Sequence, residues 1–335
     1  MCTVQISIVI PAHNASRTLA QCLAACKAQS YTPKEIIVVD DGSTDDTFAI
    51  AKSLGVKCLT QERKGPASAR NAGASLTDAE MIAFTDSDCI PSQDWLEKLV
   101  ASVKDGVGLL GGTYGIANPE SLLARMIHEE IRIRHENYQE EVDFAGSYNM
   151  LCRKAVFDFL GGFDESFSDA SAEDNDFAYR VVEAGWKIHY VPDAVVYHYH
   201  PEKLSRYLRA QFRHGFWRVR LYQKHPRKVP TGDRYAGIWD LISPPLTLTF
   251  LVILFVSLIA VFLNMLSFVV LYGILLVLLG WHVSIRMPWV VRLVRRTQEW
   301  KMVAYLGMSF LRDLVRGLGM LWGVVVWGVV RKALL

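Results

Sequence analysis

The stretch Met81-Ile82-Ala83-Phe84-Thr85-Asp86-Ser87-Asp88 decides how this chain is read, because a short run that is apolar on both faces ends abruptly in two carboxylates one residue apart. Such a run predicts a parallel strand buried on both sides. In open α/β sheets ligands collect beyond the carboxyl ends of the strands, so Asp86 and Asp88 are expected to project into a binding crevice. Two hard oxygen ligands this close suit a divalent cation such as Mg²⁺ or Mn²⁺, which would in turn bridge phosphate oxygens. The competing interpretation of the same residues is an Asp-Ser-Asp turn that caps the next helix.

Upstream, Ile6 to Ile10 predicts a first strand that stops at Pro11, and Ser16 a cap for the helix carrying Leu19 and Leu23. Glu35 to Val39 predicts a second strand, ending in Asp40-Asp41-Gly42-Ser43, with Thr44 or Asp45 capping the helix of Phe48, Ile50 and Ala51. Val56 to Leu59 predicts a third strand and Pro66 to Ala74 a helix. Strands alternating with helices at this spacing argue for βαβ units, a parallel sheet and right-handed crossovers. In such a sheet the acidic ends at Asp40-Asp41 and Asp86-Ser87-Asp88 lie on one edge, which weakens the capping interpretation. Neither a Gly-x-Gly-x-x-Gly fingerprint nor a P-loop is present, so any nucleotide is held differently.

Downstream, Val107 to Gly112 predicts a further strand and Ser121 to Tyr138 a partly amphipathic helix. A helix from Arg153 to Leu160 leads into Gly161-Gly162-Phe163-Asp164-Glu165, a glycine turn. Glu173-Asp174 opens another helix with apolar face Phe177, Val181 and Val182, and acids in its first turn suit the helix dipole. Trp186 to Tyr190 and Ala194 to Tyr197 predict two strands, followed by His198-Tyr199-His200.

Taken together, Ile8-Val9-Ile10-Pro11-Ala12-His13-Asn14, Val38-Val39-Asp40-Asp41-Gly42-Ser43-Thr44-Asp45, Ala69-Arg70-Asn71-Ala72-Gly73 and Phe84-Thr85-Asp86-Ser87-Asp88 resemble the family 2 glycosyltransferases over roughly residues 6–200. The resemblance implies the GT-A fold, α/β with a Rossmann-like, mostly parallel sheet. It implies a nucleotide sugar, usually a UDP sugar, bound by Pro11, Ala12, Asn14, Asp40, Asp41, Lys64, Arg70, Asp86 and Ser87, and a cation, Mg²⁺ or Mn²⁺, on Asp86, Asp88 and His198. Gly162, Phe163, Asp164 and Glu173 match the acceptor side. Asp174 matches the catalytic base of an inverting displacement, a role worth roughly 10²- to 10⁴-fold in rate.

From Leu241 to Ile285 there is no Asp, Glu, Lys or Arg in 45 consecutive positions of the 335, more than twice the roughly 20 residues that span a bilayer. Dividing at Asn264 gives spans near 245–263 and 266–285, a transmembrane hairpin. Residues 203–228 carry nine Lys or Arg and no acid, interleaved with Leu204, Tyr207, Leu208, Phe212, Phe216, Trp217 and Leu221. That pattern suits a helix lying on an anionic leaflet rather than on nucleic acid. Basic residues flank both outer ends of the hairpin, which directs them and the catalytic domain to the cytoplasmic face of the cell membrane. The expected domains are therefore a catalytic domain over 1–202, an interfacial segment over 203–240, the hairpin over 241–285, a basic loop over 286–301, and an amphipathic, re-entrant or third spanning segment over 302–335. There Arg312, Asp313 and Arg316 interrupt the apolar run, and glycines at 317, 319, 323 and 328 predict close helix packing.

The six cysteines precede the hairpin, show no paired metal-ligand spacing, and with no secretory signal evident are expected to be reduced. Net charge is only +2 and says little about partners. The leading expectation is transfer to a lipid-linked or envelope glycan. The alternatives are a polyprenyl-phosphate glycosyltransferase and a non-catalytic nucleotide-sugar-binding membrane scaffold. A processive synthase fits less well, because Gln211-Phe212-Arg213-His214-Gly215-Phe216-Trp217 misses the Gln-x-x-Arg-Trp spacing.

Overall fold

A computed structural model describes residues 4–229, 238–263 and 267–330. The chain divides into two compact units, one of residues 4–119 and 131–200, the other of residues 120–130, 201–229, 238–263 and 267–330.

The first unit alternates strand and helix: β1 (Ile6–Ala12), α1 (Leu19–Lys27), β2 (Glu35–Asp41), α2 (Thr47–Ser53), β3 (Lys57–Gln61), α3 (Pro66–Ser75) and β4 (Met81–Thr85). Then follow β5 (Cys89–Pro91), α4 (Trp95–Ala101), β6 (Val107–Ile116), α5 (Leu122–His135), β7 (Glu141–Val142), β8 (Asn149–Arg153), α6 (Lys154–Phe159), α7 (Glu173–Glu183) and β9 (Lys187–His198). The sheet order is β3-β2-β1-β4-β8-β6-β9-β5, with β7 also on β9. Strands β1 to β4 are mutually parallel, so β2 and β4 end on the same edge. The sheet becomes mixed where β8 runs antiparallel to β4 and β6.

Alternation with period two explains why both faces are covered. Ile6, Ile8, Ile10, Ile36, Val38, Met81 and Ala83 point into a core with Leu19, Cys22, Leu23, Trp95 and Leu99 from α1 and α4. Their neighbours Val9, Ile37, Val39, Ile82 and Phe84 point the other way, onto α3, α6 and α7 through Ala69, Phe157, Phe177 and Val181. Gly73 is needed where α3 meets β1, since a Cβ there would lie 2.4 Å from Val9 Cγ1.

Three local expectations change. Strand β1 continues through Pro11 and Ala12, because its pairing with β4 ends at Val9 and the proline's missing N–H interrupts no bond on that side. Ser16 does not cap α1; its backbone N–H donates to Asp45 Oδ2 at 3.1 Å, and the helix starts after Thr18. The two strands expected over 186–197 are one strand, β9. A bulge opposite Gly111 and Thr113 absorbs the extra residues, and Asn149 Nδ2 donates to the freed carbonyls of Thr113 and Ala194 at 2.9 and 2.8 Å. Of the cysteines, Cys22, Cys26, Cys58, Cys89 and Cys152 are free thiols, and Cys2 lies outside the described residues.

The second unit contains the first turns of α5, then α8 (Leu204–Lys224), α9 (Ile238–Phe262), α10 (Phe268–Thr297) and α11 (Tyr305–Val324), the last continuing as a π-helical turn over Val325–Val330. Helices α9 and α10 pack together and are long and apolar enough to cross a membrane, with mean hydropathies of 2.6 and 2.3. Asn264, the expected break, lies outside the described residues. The basic loop expected over 286–301 is instead helical to Thr297: α10 carries Pro288 internally and buries Arg286 against Asp313, so the first arginine after the apolar run does not end the helix. Arg312 and Asp313 likewise do not interrupt α11. Both are buried, and Arg312 donates to Glu130.

Helix α8 packs along α11 and buries Tyr207, Trp217 and Leu221 of its apolar stripe, while Leu204 stays exposed. Small residues make this possible: a Cβ on Gly215 would lie 2.2 Å from the Arg316 carbonyl, and one on Gly319 2.1 Å from the Phe212 carbonyl. Gly317 and Gly323 are similarly tight, against Pro244 and Phe216, while Gly328 meets only its own helix.

Candidate active site

The carboxyl edge of β1, β2 and β4 is assembled by backbone needs first. Asn14 takes a positive φ of 50° at the end of β1 and accepts from the Thr44 N–H at 2.9 Å, while its own N–H donates to Ser43 Oγ at 2.9 Å. Pro11 and Ala12 are buried beneath it. Asp40 Oδ1 accepts from the Ser43 N–H and its Oδ2 from Thr60 Oγ1, each at 3.3 Å. Asp41 is committed more fully: Oδ1 accepts from Gln61 Nε2 and the Lys64 N–H, and Oδ2 from the Gly65 N–H, at 2.7 to 2.8 Å. Backbone amides just before a helix start are a common phosphate cradle. Here they are occupied by Asp41, which leaves the exposed Arg63 and Lys64 side chains as that loop's cations. Gly65 holds the loop at φ 98°, where a Cβ would lie 2.2 Å from the Ser168 carbonyl.

Arg70 on α3 is the hub. Its guanidinium is buried, donates through Nη2 to Asp86 Oδ1 at 2.7 Å and through Nη1 to Glu173 Oε1 at 3.0 Å, and lies over the Phe163 ring at 5.6 Å. Burial alone would lower its pKa, but Asp86 and Glu173 outweigh that and hold it above the usual value. Glu173 goes the other way. Burial and the charge of Asp174 beside it push its carboxyl up to about 7 against the pull of Arg70, and its second oxygen, Oε2, is buried without a hydrogen-bond partner. Asp174 is half-buried, with Oδ1 accepting from the Asn175 N–H at 2.8 Å, in the first turn of α7. Ala172 precedes that turn at φ 74°, a strained value for a residue with a Cβ.

Asp88 Oδ1 lies 3.4 Å from His198 Nε2 at the junction of β4, β5 and β9. Their ligand atoms and Cys89 Sγ all fall within 4.8 Å of one another. Adjacent ligands on an octahedral ion with bonds near 2.1 Å are about 3 Å apart, so the Asp88–His198 pair fits one Mg²⁺- or Mn²⁺-sized cation. Cys89 is a poor third ligand, since burial and then the charges of Asp88 and Asp86 push its thiol well up and keep it protonated. His198 Nδ1 faces His200 Nδ1 at 3.2 Å, and both rings abut Tyr114, which stacks on Tyr148 at 3.6 Å.

The expected residues thus separate. Asp88 and His198 come together, whereas Asp86 turns one oxygen to Arg70 instead of joining them, because a buried guanidinium requires counter-charge. Phe163 and Glu173, expected on the acceptor side, are buried: Phe163 sits among Phe84, Phe157 and Phe177, beneath Arg70. Gly162 adopts φ 71° against Asn71 Oδ1, and Asp164 accepts from the Ser166 N–H. Ser87 is half-buried in the loop after β4. Sequence reasoning overlooked the clamp on this turn. Asn71 accepts from the Phe163 N–H and donates to its carbonyl, and Arg180 donates to the carbonyls of Leu160 and Gly162. Asn71 stood in a quoted motif without a role; nothing in the sequence marked Arg180, Tyr114 or Tyr148.

Residues 7–160 match the family model described as glycosyl transferase family 2. The chain is 28% identical over 229 residues to glycosyltransferase AglE of Haloferax volcanii, covering 65% of this chain and 74% of that protein. It is 29% identical over 242 residues to the pre-mycofactocin glycosyltransferase of Mycobacterium tuberculosis, covering 67% of this chain but only 49% of that one. A solved mannosyltransferase, PcManGT from Pyrobaculum calidifontis in complex with GDP-Man and Mn²⁺, has a similar fold at a TM-score of 0.61 and 16% identity, covering 95% of this chain and 87% of that chain.

Proposed function

Because this chain belongs to glycosyl transferase family 2 and carries its catalytic domain on a GT-A fold, we propose that it is an inverting, divalent-metal-dependent glycosyltransferase anchored in the cell membrane. It moves a sugar from a nucleotide sugar, a UDP sugar in the first instance, to a hydroxyl of a lipid-linked or envelope glycan at the cytoplasmic face. The observation that carries this is the ion chain Asp86–Arg70–Glu173, which ties the acidic end of β4 to the first turn of α7.

Asp174, in that turn and half-exposed, takes the proton of the acceptor hydroxyl. The acceptor oxygen forms its bond to the anomeric carbon as the bond to the diphosphate oxygen breaks on the opposite side, so the configuration inverts. Arg70 and Glu173 hold Asp174's turn in register with the donor-side acids, which is how a buried ion pair favours a reactive geometry. Asp88 and His198 are the residues that would hold the cation, with Asp86 two residues before Asp88 in the same loop. When bound, a divalent ion supplies charge neutralisation for a departing nucleoside diphosphate. Lys64 supplies a further positive charge.

The membrane anchor rests on α9 and α10, where only 17% and 11% of the most apolar windows are buried. Apolar surface on that scale calls for lipid, and the flanking arginines and lysines favour the cytoplasmic side for the catalytic unit.

The test is a panel of UDP and GDP sugars offered to membranes holding the full chain, with nucleotide release and glycan transfer followed in Mn²⁺ and in EDTA. Metal-dependent release from one donor, and a fall of roughly 10²- to 10⁴-fold in Asp174→Asn with donor binding intact, are expected. Activity indifferent to EDTA would remove the metal role, and an unimpaired Asp174→Asn would remove the base.

A further inference from the structure

Period-two alternation carries on past the end of β9, so in His198-Tyr199-His200 the two imidazoles leave the backbone on one side and the tyrosine ring on the other. The His198 and His200 ring centroids lie 4.7 Å apart, while the Tyr199 hydroxyl donates to Gln21 Oε1 at 2.6 Å. Backbone bonds pin the segment in place. The Ala117 N–H donates to the His198 carbonyl at 3.0 Å, and the Tyr199 N–H donates to the Asp88 carbonyl at 3.1 Å, tying the backbones of the two expected cation ligands together. Buried Asn118 then clamps His200 from both sides: its Oδ1 accepts from the His200 N–H at 3.1 Å and its Nδ2 donates to the His200 carbonyl at 2.8 Å.

The buried ring of His200 has a chemical consequence for its neighbour. A neutral imidazole carries one N–H and one lone pair. His198 Nε2 is the atom that faces Asp88 Oδ1, and a nitrogen that ligates a cation must present its lone pair. The ring hydrogen of His198 then sits on Nδ1, and the atom opposite it is His200 Nδ1, at 3.2 Å. His200 is therefore the acceptor. Such a bond selects the tautomer of His198 and holds its ring plane, because rotation of the imidazole would break it as Nε2 left Asp88. The Tyr114 ring, 5.2 Å from one imidazole and 5.6 Å from the other and stacked on Tyr148, walls the pair on one side.

We propose that His200 is a positioning residue for the cation site: its Nδ1 accepts the Nδ1–H of His198 and, with its own backbone fixed by Asn118, it keeps His198 Nε2 turned toward Asp88. The inference rests on the assignment of Asp88 and His198 to the cation made above. His200 acts through His198 and does not itself ligate. Removing an outer partner of this kind costs roughly 10- to 100-fold in metal affinity, whereas a ring that only fills space beside Tyr114 would be replaceable by any other ring.

Mn²⁺ affinity of the full chain in detergent is measured by EPR titration. His200→Phe keeps a ring against Tyr114 but offers no acceptor, and is expected to bind Mn²⁺ roughly tenfold or more weakly. His200→Asn carries its amide oxygen one bond beyond Cγ, as Nδ1 is, and is expected to stay within about threefold of the wild type. A measurement on the unmutated chain stands beside these: with ¹⁵N-labelled histidine and Mg²⁺ bound, the His198 hydrogen is expected on Nδ1. Wild-type affinity in His200→Phe, equal weakness in His200→Asn, or a His198 hydrogen on Nε2 would each overturn the positioning role while leaving the cation assignment standing. A wild-type chain that binds no Mn²⁺, or a His198→Ala variant that binds it as well as the wild type, would overturn the cation assignment and the role of His200 with it.

Discussion

Glu173 offers a quantitative handle on the candidate site. Its carboxyl is raised from an ordinary 4.5 to about 7 by burial and by Asp174, in spite of Arg70. Between those values the folded chain holds a proton there that the unfolded chain has released. Stability from this group is therefore fully present below about pH 4.5 and is lost as pH rises through 7, the reverse of an ordinary salt-bridged acid. The span is about 2.5 pH units, worth about 3 kcal/mol at 1.36 kcal/mol per unit. Glu173→Gln keeps the side chain's size and one acceptor for Arg70 while deleting the titration. Urea unfolding of the full chain in detergent, followed by tryptophan fluorescence at pH 5 and pH 8, should show the wild-type losing about 2.5 kcal/mol more than the variant over that interval, since at pH 5 the unfolded carboxyl is already mostly ionised, a midpoint difference of roughly 1 M or more. Parallel pH profiles for the two proteins would refute the reasoning, since they would mean that Glu173 is ionised at both values and fully compensated by Arg70.

Arg70→Met should cost about 3–5 kcal/mol at pH 8 by stranding Glu173, and distinctly less at pH 5.5, where Glu173 is protonated; equal losses in urea unfolding at the two pH values would contradict the pairing. Asp88→Asn and His198→Ala should each weaken Mn²⁺ binding by at least about tenfold in an EPR titration, while Cys89→Ser leaves it within about twofold; the opposite pattern would move the metal to the thiol. Gly319→Ala should lower the thermal midpoint in detergent by an amount equivalent to about 1–3 kcal/mol, because the Phe212 carbonyl stands where the new methyl must go, and a raised midpoint would show that α8 and α11 are not so close.

What the sequence made legible follows from how local each signal is. The two-faced runs at Ile6–Ile10, Ile36–Val39 and Met81–Phe84 announce a buried parallel sheet, and the acids that end them announce its functional edge, because strand direction alone brings those ends together. What each acid does there is not local. Asp41 and Asp86 are both carboxylates closing buried strands, yet Asp41 fastens the amides of Lys64 and Gly65 while Asp86 faces a guanidinium delivered by α3. Only the crossover geometry sets which donors arrive at each. The burial of Phe163 and Glu173 has the same kind of cause: a glycine turn and a helix start look like surface features until Asn71 and Arg180 draw the turn inward and Arg70 gives Glu173 a buried partner.

In the second unit the failure has a different physical source. A hydropathy count treats every charge as an interruption, so Arg286 closes one apolar run and Arg312 and Asp313 break another. Each of those groups has a partner far along the chain, Arg286 on Asp313 and Arg312 on Glu130, and Arg296 on α10 is likewise paired with Glu129. Paired in this way, a charge no longer obliges a helix to surface, although the desolvation of both ions offsets much of their attraction. The pairs therefore contribute little net stability and instead fix which face of α10 and α11 turns inward. An unpaired alternative register would bury a lone arginine or aspartate at a cost of several kcal/mol.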